Sequence, residues 1–180
     1  DREINYTFPD PDDPTEGLFG GKPALTDITI GDNVKTLSGY MFADAGVTSF
    51  NLNKVTTIGN GALMGIKFAD ITIPATVTSI GDYAFKNCTS LTNLTFADGE
   101  SDLTIGFQPG TAQYGPFYQS PLTEIIVNRS LVLSKSYADA CDSSNEGVFS
   151  TEHNMLNTSI SLGGQVGKIP EFMFGSLPLT

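Results

Sequence analysis

Residues 68–96, Phe68-Ala-Asp-Ile-Thr-Ile-Pro-Ala-Thr-Val-Thr-Ser-Ile-Gly-Asp-Tyr-Ala-Phe-Lys-Asn-Cys-Thr-Ser-Leu-Thr-Asn-Leu-Thr-Phe96, hold one full copy of an internal repeat and the start of the next. Apolar residues fall at Phe68, Ile71, Ile73, Val77, Ile80 and Phe85, and the same spacing restarts at Leu91, Leu94 and Phe96. Repeats of this length stack on one another and share a continuous core, so the architecture follows before composition is considered. Aligning the opening position gives Leu25, Val47, Phe68, Leu91 and Leu122, with steps of 22, 21, 23 and then 31 residues.

Within each copy the inward residues alternate, as side chains on one face of a strand must. The pairs are Ile28 and Ile30, Phe50 and Leu52, Ile71 and Ile73, Leu94 and Phe96, Ile125 and Val127, and Ile160 and Leu162, which predicts six strands. A second column runs Val34/Leu37, Val55/Ile58, Val77/Ile80, Leu131/Leu133 and Val166/Ile169, closed by Gly39, Gly59 or Gly81 where the chain turns. A third column, Phe42, Leu63, Phe85, Phe117, Phe149 and Phe174, recurs evenly enough to be core and not a cofactor box.

The run Ile71-Thr-Ile-Pro74, followed by Val77-Thr-Ser-Ile-Gly-Asp-Tyr-Ala-Phe85-Lys-Asn-Cys88-Thr-Ser-Leu91-Thr92, resembles the BspA-like leucine-rich repeat of bacterial surface proteins. The resemblance implies an α/β repeat solenoid over residues 20–180: a right-handed leucine-rich repeat superhelix of about six repeats, β-dominated with short helical turns. It also implies attachment and protein binding outside the cell, on the bacterial surface or in secreted form, and brings no catalytic motif. Cys88 stands where such repeats place a buried Cys, and its counterparts Ala45 and Leu177 indicate a core position.

Two insertions, near residues 103–116 and 134–155, lengthen the later copies and read as edge loops, either structural or binding. Residues 1–19, with Pro9, Pro11, Pro14 and a run of carboxylates, read as an acidic Pro-rich linker or N-terminal capping segment. At the other end Leu179-Thr180 stand where another repeat would open, so a natural partner, further residues or self-association is expected at that uncapped C-terminal end.

Twenty acidic against nine basic residues give a formal charge of −11, which repels phosphate backbones and argues against nucleic acid as a partner. No stretch of about 18 apolar residues exists, so no membrane insertion is expected. The single histidine, His153, lies in the second insertion, and no nucleophile elbow or zinc-ligand spacing accompanies it, so no enzyme and no cofactor is expected. Asp98, Glu100 and Asp102, at alternate positions after the fourth strand, are the calcium candidate, though they lack the rest of an EF-hand loop.

The outward strand residues of such a stack form rows. One reads Thr29, Asn51, Thr72, Thr95, Ile126 and Ser161; its neighbour reads Asp27, Ser49, Asp70, Asn93, Glu124 and Ser159. Asp27, Thr29, Asn51, Asp70, Thr72, Asn93, Thr95 and Glu124 are therefore the candidate contacts for an extracellular or host protein. These residue types also suit exposed strands in general. The rows contain no aromatic, so a glycan-binding or nutrient-capture module would have to use loop aromatics, Tyr114, Tyr118 and Tyr137. A structural spacer displaying another domain is the remaining alternative.

Overall fold

The computed structural model describes residues 17–52, 54–106, 115–134, 148–149, 158–170 and 173–174. Nine short strands follow in chain order: β1 Thr36–Leu37, β2 Thr57–Ile58, β3 Asp70–Ile73, β4 Ser79–Ile80, β5 Asn93–Phe96, β6 Leu103–Ile105, β7 Glu124–Val127, β8 Leu131–Leu133 and β9 Ser159–Leu162. They fall into two parallel sheets, ordered β1-β2-β4-β6-β8 and β3-β5-β7-β9. From β3 onward the strands alternate between the sheets, so the chain visits each sheet once per copy and lies beside the preceding copy. The register places like on like: Ile71 faces Leu94, Leu94 faces Ile125 and Ile125 faces Ile160.

Alternation creates these strands. In β3, β5 and β7 every second side chain is buried, and the residues between are exposed or half-exposed. Threonines at the strand entries add a second tie. Thr56, Thr78, Thr92 and Thr123 each donate a backbone N–H to a carbonyl of the preceding copy, and each hydroxyl donates to that same carbonyl at 3.0–3.3 Å.

The third side of each turn is a backbone ladder without strands. In residues 40–45 the N–H groups of Met41, Ala43 and Ala45 bond back to Ser38, Tyr40 and Phe42. Those of Tyr40, Phe42 and Asp44 reach forward to Asn60, Ala62 and Met64 of the next copy. Gly61, Leu63 and Gly65 repeat the forward reach to Asp82, Ala84 and Lys86. An α-helix needs every N–H for its own axis. Here alternate groups are spent between copies, and a left-handed residue recurs at Tyr40 and Asp44, Gly61 and Gly65, Tyr83 and Asn87. The expected short helical turns are therefore hydrogen-bonded turns among the described residues.

Close stacking also explains one glycine column. A Cβ on Gly81 would lie 2.6 Å from the backbone nitrogen of Asn60, and one on Gly106 2.6 Å from that of Asp82. The pairing of Leu37 with Ile58 puts Ser38 opposite Gly59, so Gly39 sits one position later than the sequence pattern suggests.

A column of phenylalanines runs through the core. Phe19 stacks on Phe42 at 5.2 Å, Phe85 on Phe117 at 5.2 Å, Phe117 on Phe149 at 5.1 Å and Phe149 on Phe174 at 5.2 Å, with interplanar angles of 3–16°. Leu63 interrupts the file between Phe42 and Phe85. Strand phenylalanines meet the column edge-on, Phe50 against Phe42 and Phe96 against Phe117 and Phe149. Offset stacks and edge contacts are the arrangements favoured by the ring quadrupole.

Three expectations change. Residues 103–105 are strand β6, not the start of an insertion: Leu103 and Ile105 are buried, and Ile105 continues the Leu37, Ile58, Ile80 column. Of the six predicted strands of the opening column four form, because no backbone ladder bond among the described residues joins 26–30 to 48–52 or 48–52 to β3. Leu162, expected inward, is 59% exposed, since β9 is the outermost strand of its sheet and nothing described covers its far side. Residues 1–16, most of both insertions, and Leu179-Thr180 lie outside the described residues.

Phe117→Ala, which empties the middle of the phenylalanine column, should cost about 3–5 kcal/mol, read as a lowered urea midpoint. Phe19→Ala, at an end of the column where the ring is 39% exposed, should cost less.

Candidate binding face

The face is built by register. Asp70 pairs with Asn93, Asn93 with Glu124 and Glu124 with Ser159; Thr72 pairs with Thr95, Thr95 with Ile126 and Ile126 with Ser161. Five candidate contacts, Asp70, Thr72, Asn93, Thr95 and Glu124, thus share one side of one sheet in two adjacent rows. Thr72, Asp70 and Glu124 are exposed, Asn93 and Thr95 partly so. Asp27, Thr29 and Asn51 are exposed too, on the segments 26–30 and 48–52 that carry no ladder.

Neither row contains a basic residue, while Asp27, Asp70 and Glu124 place carboxylates in one of them. Asn93 donates its amide Nδ2 to Asp70 Oδ1, and Thr26 Oγ1 donates to Asp27 Oδ2 at 2.9 Å, so two of these carboxylates are oriented by neighbours. The face is acidic and rich in small hydrogen-bonding groups. Where 48–52 diverges from β3 a cleft of about 380 Å³ opens, lined by residues that include Phe50, Leu52, Phe68, Asp70, Ile71 and Thr72. Sequence periodicity carries no signal for it, since periodicity reports which side chains face inward and not whether two backbones meet.

The loop aromatics fare differently. Tyr118 is buried, with 5% of its surface exposed, because residues 115–119 join the turn ladder and the Tyr118 carbonyl accepts the Asn87 N–H at 2.9 Å. Its ring lies 5.5 Å from Lys86 Nζ, which is equally distant from the Tyr83 ring. This pairing of an ammonium with two rings uses the Tyr118 π-face internally, and burial pushes the Lys86 pKa down. Tyr118 is therefore no exposed platform for a sugar. Tyr114 and Tyr137 lie outside the described residues.

Asp98, Glu100 and Asp102 do not converge, and no group of three potential metal ligands occurs among the described residues. The loop instead lies over a buried guanidinium. Gly99 packs so closely on Arg129 that a Cβ there would be 3.3 Å from Arg129 Cδ and 3.5 Å from Nη1. Arg129 is fully buried; Nη1 donates to the Ala75 carbonyl at 3.1 Å and Nη2 to that of Pro74 at 3.4 Å, and Nε has no partner among the described residues. Burial pushes its pKa down. A fixed positive charge beneath the loop opposes a second cation above it.

Cys88 is free and buried, and its Sγ donates to the Leu63 carbonyl at 3.2 Å. Burial pushes its pKa up to about 12, with nearby backbone hydrogen bonds pulling weakly the other way. Cys141 and His153 lie outside the described residues. An unfolded thiol ionises near 8.5. The neutral buried thiol therefore contributes its full stability below that pH, and loses it as the pH climbs toward 12. In a Cys141→Ser background, Cys88 at pH 8 should be alkylated by iodoacetamide only when urea unfolds the chain, as mass spectrometry would show. Rapid labelling of the native chain would contradict this burial.

No helix among the described residues is long and apolar enough to cross a membrane. A family model described as the BspA type leucine rich repeat region (6 copies) matches residues 15–138 and, in a second placement, residues 57–180. Neither a curated protein nor a solved structure matches the chain.

Proposed function

The chain belongs to the family of BspA-type leucine-rich-repeat proteins, and from that premise we propose that it is a non-catalytic module that recognises another protein outside the cell, at a bacterial surface or in secreted form. The observation that carries the reading is the pair of in-register rows on β3, β5 and β7, which present carboxylates, amides and hydroxyls side by side without a deep pocket. Such a face gains area by repetition, and a partner of matching length gains contacts row by row. We take the array to wind right-handed, the hand favoured by crossovers between parallel strands. The partner in this reading is an extracellular or host protein. The glycan-capture alternative is weakened by the burial of Tyr118.

The test is capture of the folded chain by immobilised extracellular-matrix proteins at physiological salt. Saturable binding is expected, and Asn51→Lys, Thr72→Lys and Thr95→Lys combined should weaken it roughly ten-fold or more by placing long cations along the rows. A protein hit indifferent to this triple change would move the binding surface elsewhere. Capture by glycans alone, unchanged by the triple variant, would replace the protein reading.

A further inference from the structure

The cleft between residues 48–52 and β3 differs from the rest of the face because no backbone ladder closes it among the described residues. Along β3 the carbonyls of Ala69 and Ile73 accept from Asn93 and Ala97 of the following copy, so the odd-numbered residues turn their peptide groups toward β5. Direction alternates along a strand, so Asp70 and Thr72 turn theirs the other way, toward 48–52. No backbone hydrogen bond among the described residues joins those two segments. β5 and β7 are paired on both flanks, whereas β3 is paired on one.

The floor of this opening is apolar. Phe50 is half-buried, Leu52 and Phe68 lie deeper, and Ile71 retains 8% exposure where its register partners Leu94 and Ile125 retain none. The one charged residue among those lining the cleft is Asp70, and the chain carries −11 overall.

We propose that this cleft docks an extended, basic polypeptide segment, which pairs its backbone with Asp70 and Thr72, lays small or apolar side chains on Phe50 and Ile71, and turns Lys or Arg toward Asp70. The proposal rests on the reading of this face as a protein-binding surface and names the class of partner. An extended strand fits because an unpaired strand edge offers alternating donors and acceptors, which a helix, with its own peptide groups already bonded, cannot engage. A basic segment fits because Asp70 lines the cleft with no Lys or Arg among the lining residues. A second copy of this chain would bring a like-charged face and be repelled.

The probe is a short labelled peptide of alternating Thr and Lys, titrated against the whole chain by fluorescence anisotropy at physiological salt. Binding is expected for this peptide and not for its Thr/Glu counterpart. Methylating the peptide nitrogens along one edge should abolish it, since those N–H groups would meet the β3 carbonyls. Asp70→Lys should weaken it roughly ten-fold or more. Thr72→Pro should do the same while sparing the β3–β5 ladder, because the lost N–H faces the cleft. Urea midpoints check that both variants fold, and the methylated peptide carries the backbone test on the unaltered chain.

Binding unaffected by methylation, or by Asp70→Lys, overturns the proposal, as does failure of the Thr/Lys peptide to bind. A matrix protein whose capture responds to Thr95→Lys but not to Asp70→Lys or Thr72→Pro would remove the cleft and leave the protein-binding face standing. Loss of all protein capture would remove both.

Discussion

Each described turn leaves peptide groups pointing along the axis of the stack, and it is mostly the neighbouring turn that satisfies them. The sheets do this through β3-β5-β7-β9 and β1-β2-β4-β6-β8, and the third side does it through the forward bonds of Tyr40, Phe42 and Asp44 and their successors. A buried peptide group without a partner is costly, so among the described residues the copies from β3 onward are bound to one register on both sheets and by the turn ladder, and the earlier copies by the β1-β2-β4 sheet and the turn ladder. The apolar columns then fall into files without further instruction. Phe85, Phe117, Phe149 and Phe174 stack at 5.1–5.2 Å because the backbone ladders set a similar rise. The close approach at Gly81 and Gly106 follows from the same rise.

Much of this was legible in the residues. The Ile71/Ile73 and Leu94/Phe96 alternation marks strands, and Phe42, Phe85 and Phe117 mark the core file, because burial acts directly on side-chain choice. Leu103-Thr-Ile105-Gly106 carried the same signal as Thr78-Ser-Ile80-Gly81, but a longer spacing hid it among insertion residues. The character of the turns was less legible. Tyr40, Asp44, Tyr83 and Asn87 adopt left-handed backbone conformations without being glycine, and composition alone does not separate such a turn from a short helix.

The candidate face divides along the same line. The rows of Asp70, Asn93 and Glu124 and of Thr72 and Thr95 follow from period and register, which the sequence contains. The break between 48–52 and β3 is a property of two backbones, and Phe50 and Leu52 look as strand-like as Ile71 and Ile73. Arg129 was likewise unmarked: an arginine after a strand reads as surface, and only packing shows its guanidinium bonded to Ala75 and Pro74 beneath the loop at Gly99. Tyr118 was misleading because its neighbour Phe117 already occupies the core and draws the turn inward.

The direction of the ladders bears on how such a module carries load. Strand-to-strand hydrogen bonds run along the stack, so a pull applied between its two ends stretches them in series and not in shear. Bonds loaded in that way break rung by rung, and each turn set free lengthens the chain by roughly 70 Å at about 3.3 Å per residue. A module anchored at one end and holding a partner at the other would give way in steps and relax between them, as a shock absorber does. In such a tether the file of phenylalanines would set the resistance of each rung, with Leu63 the point at which that file is already interrupted.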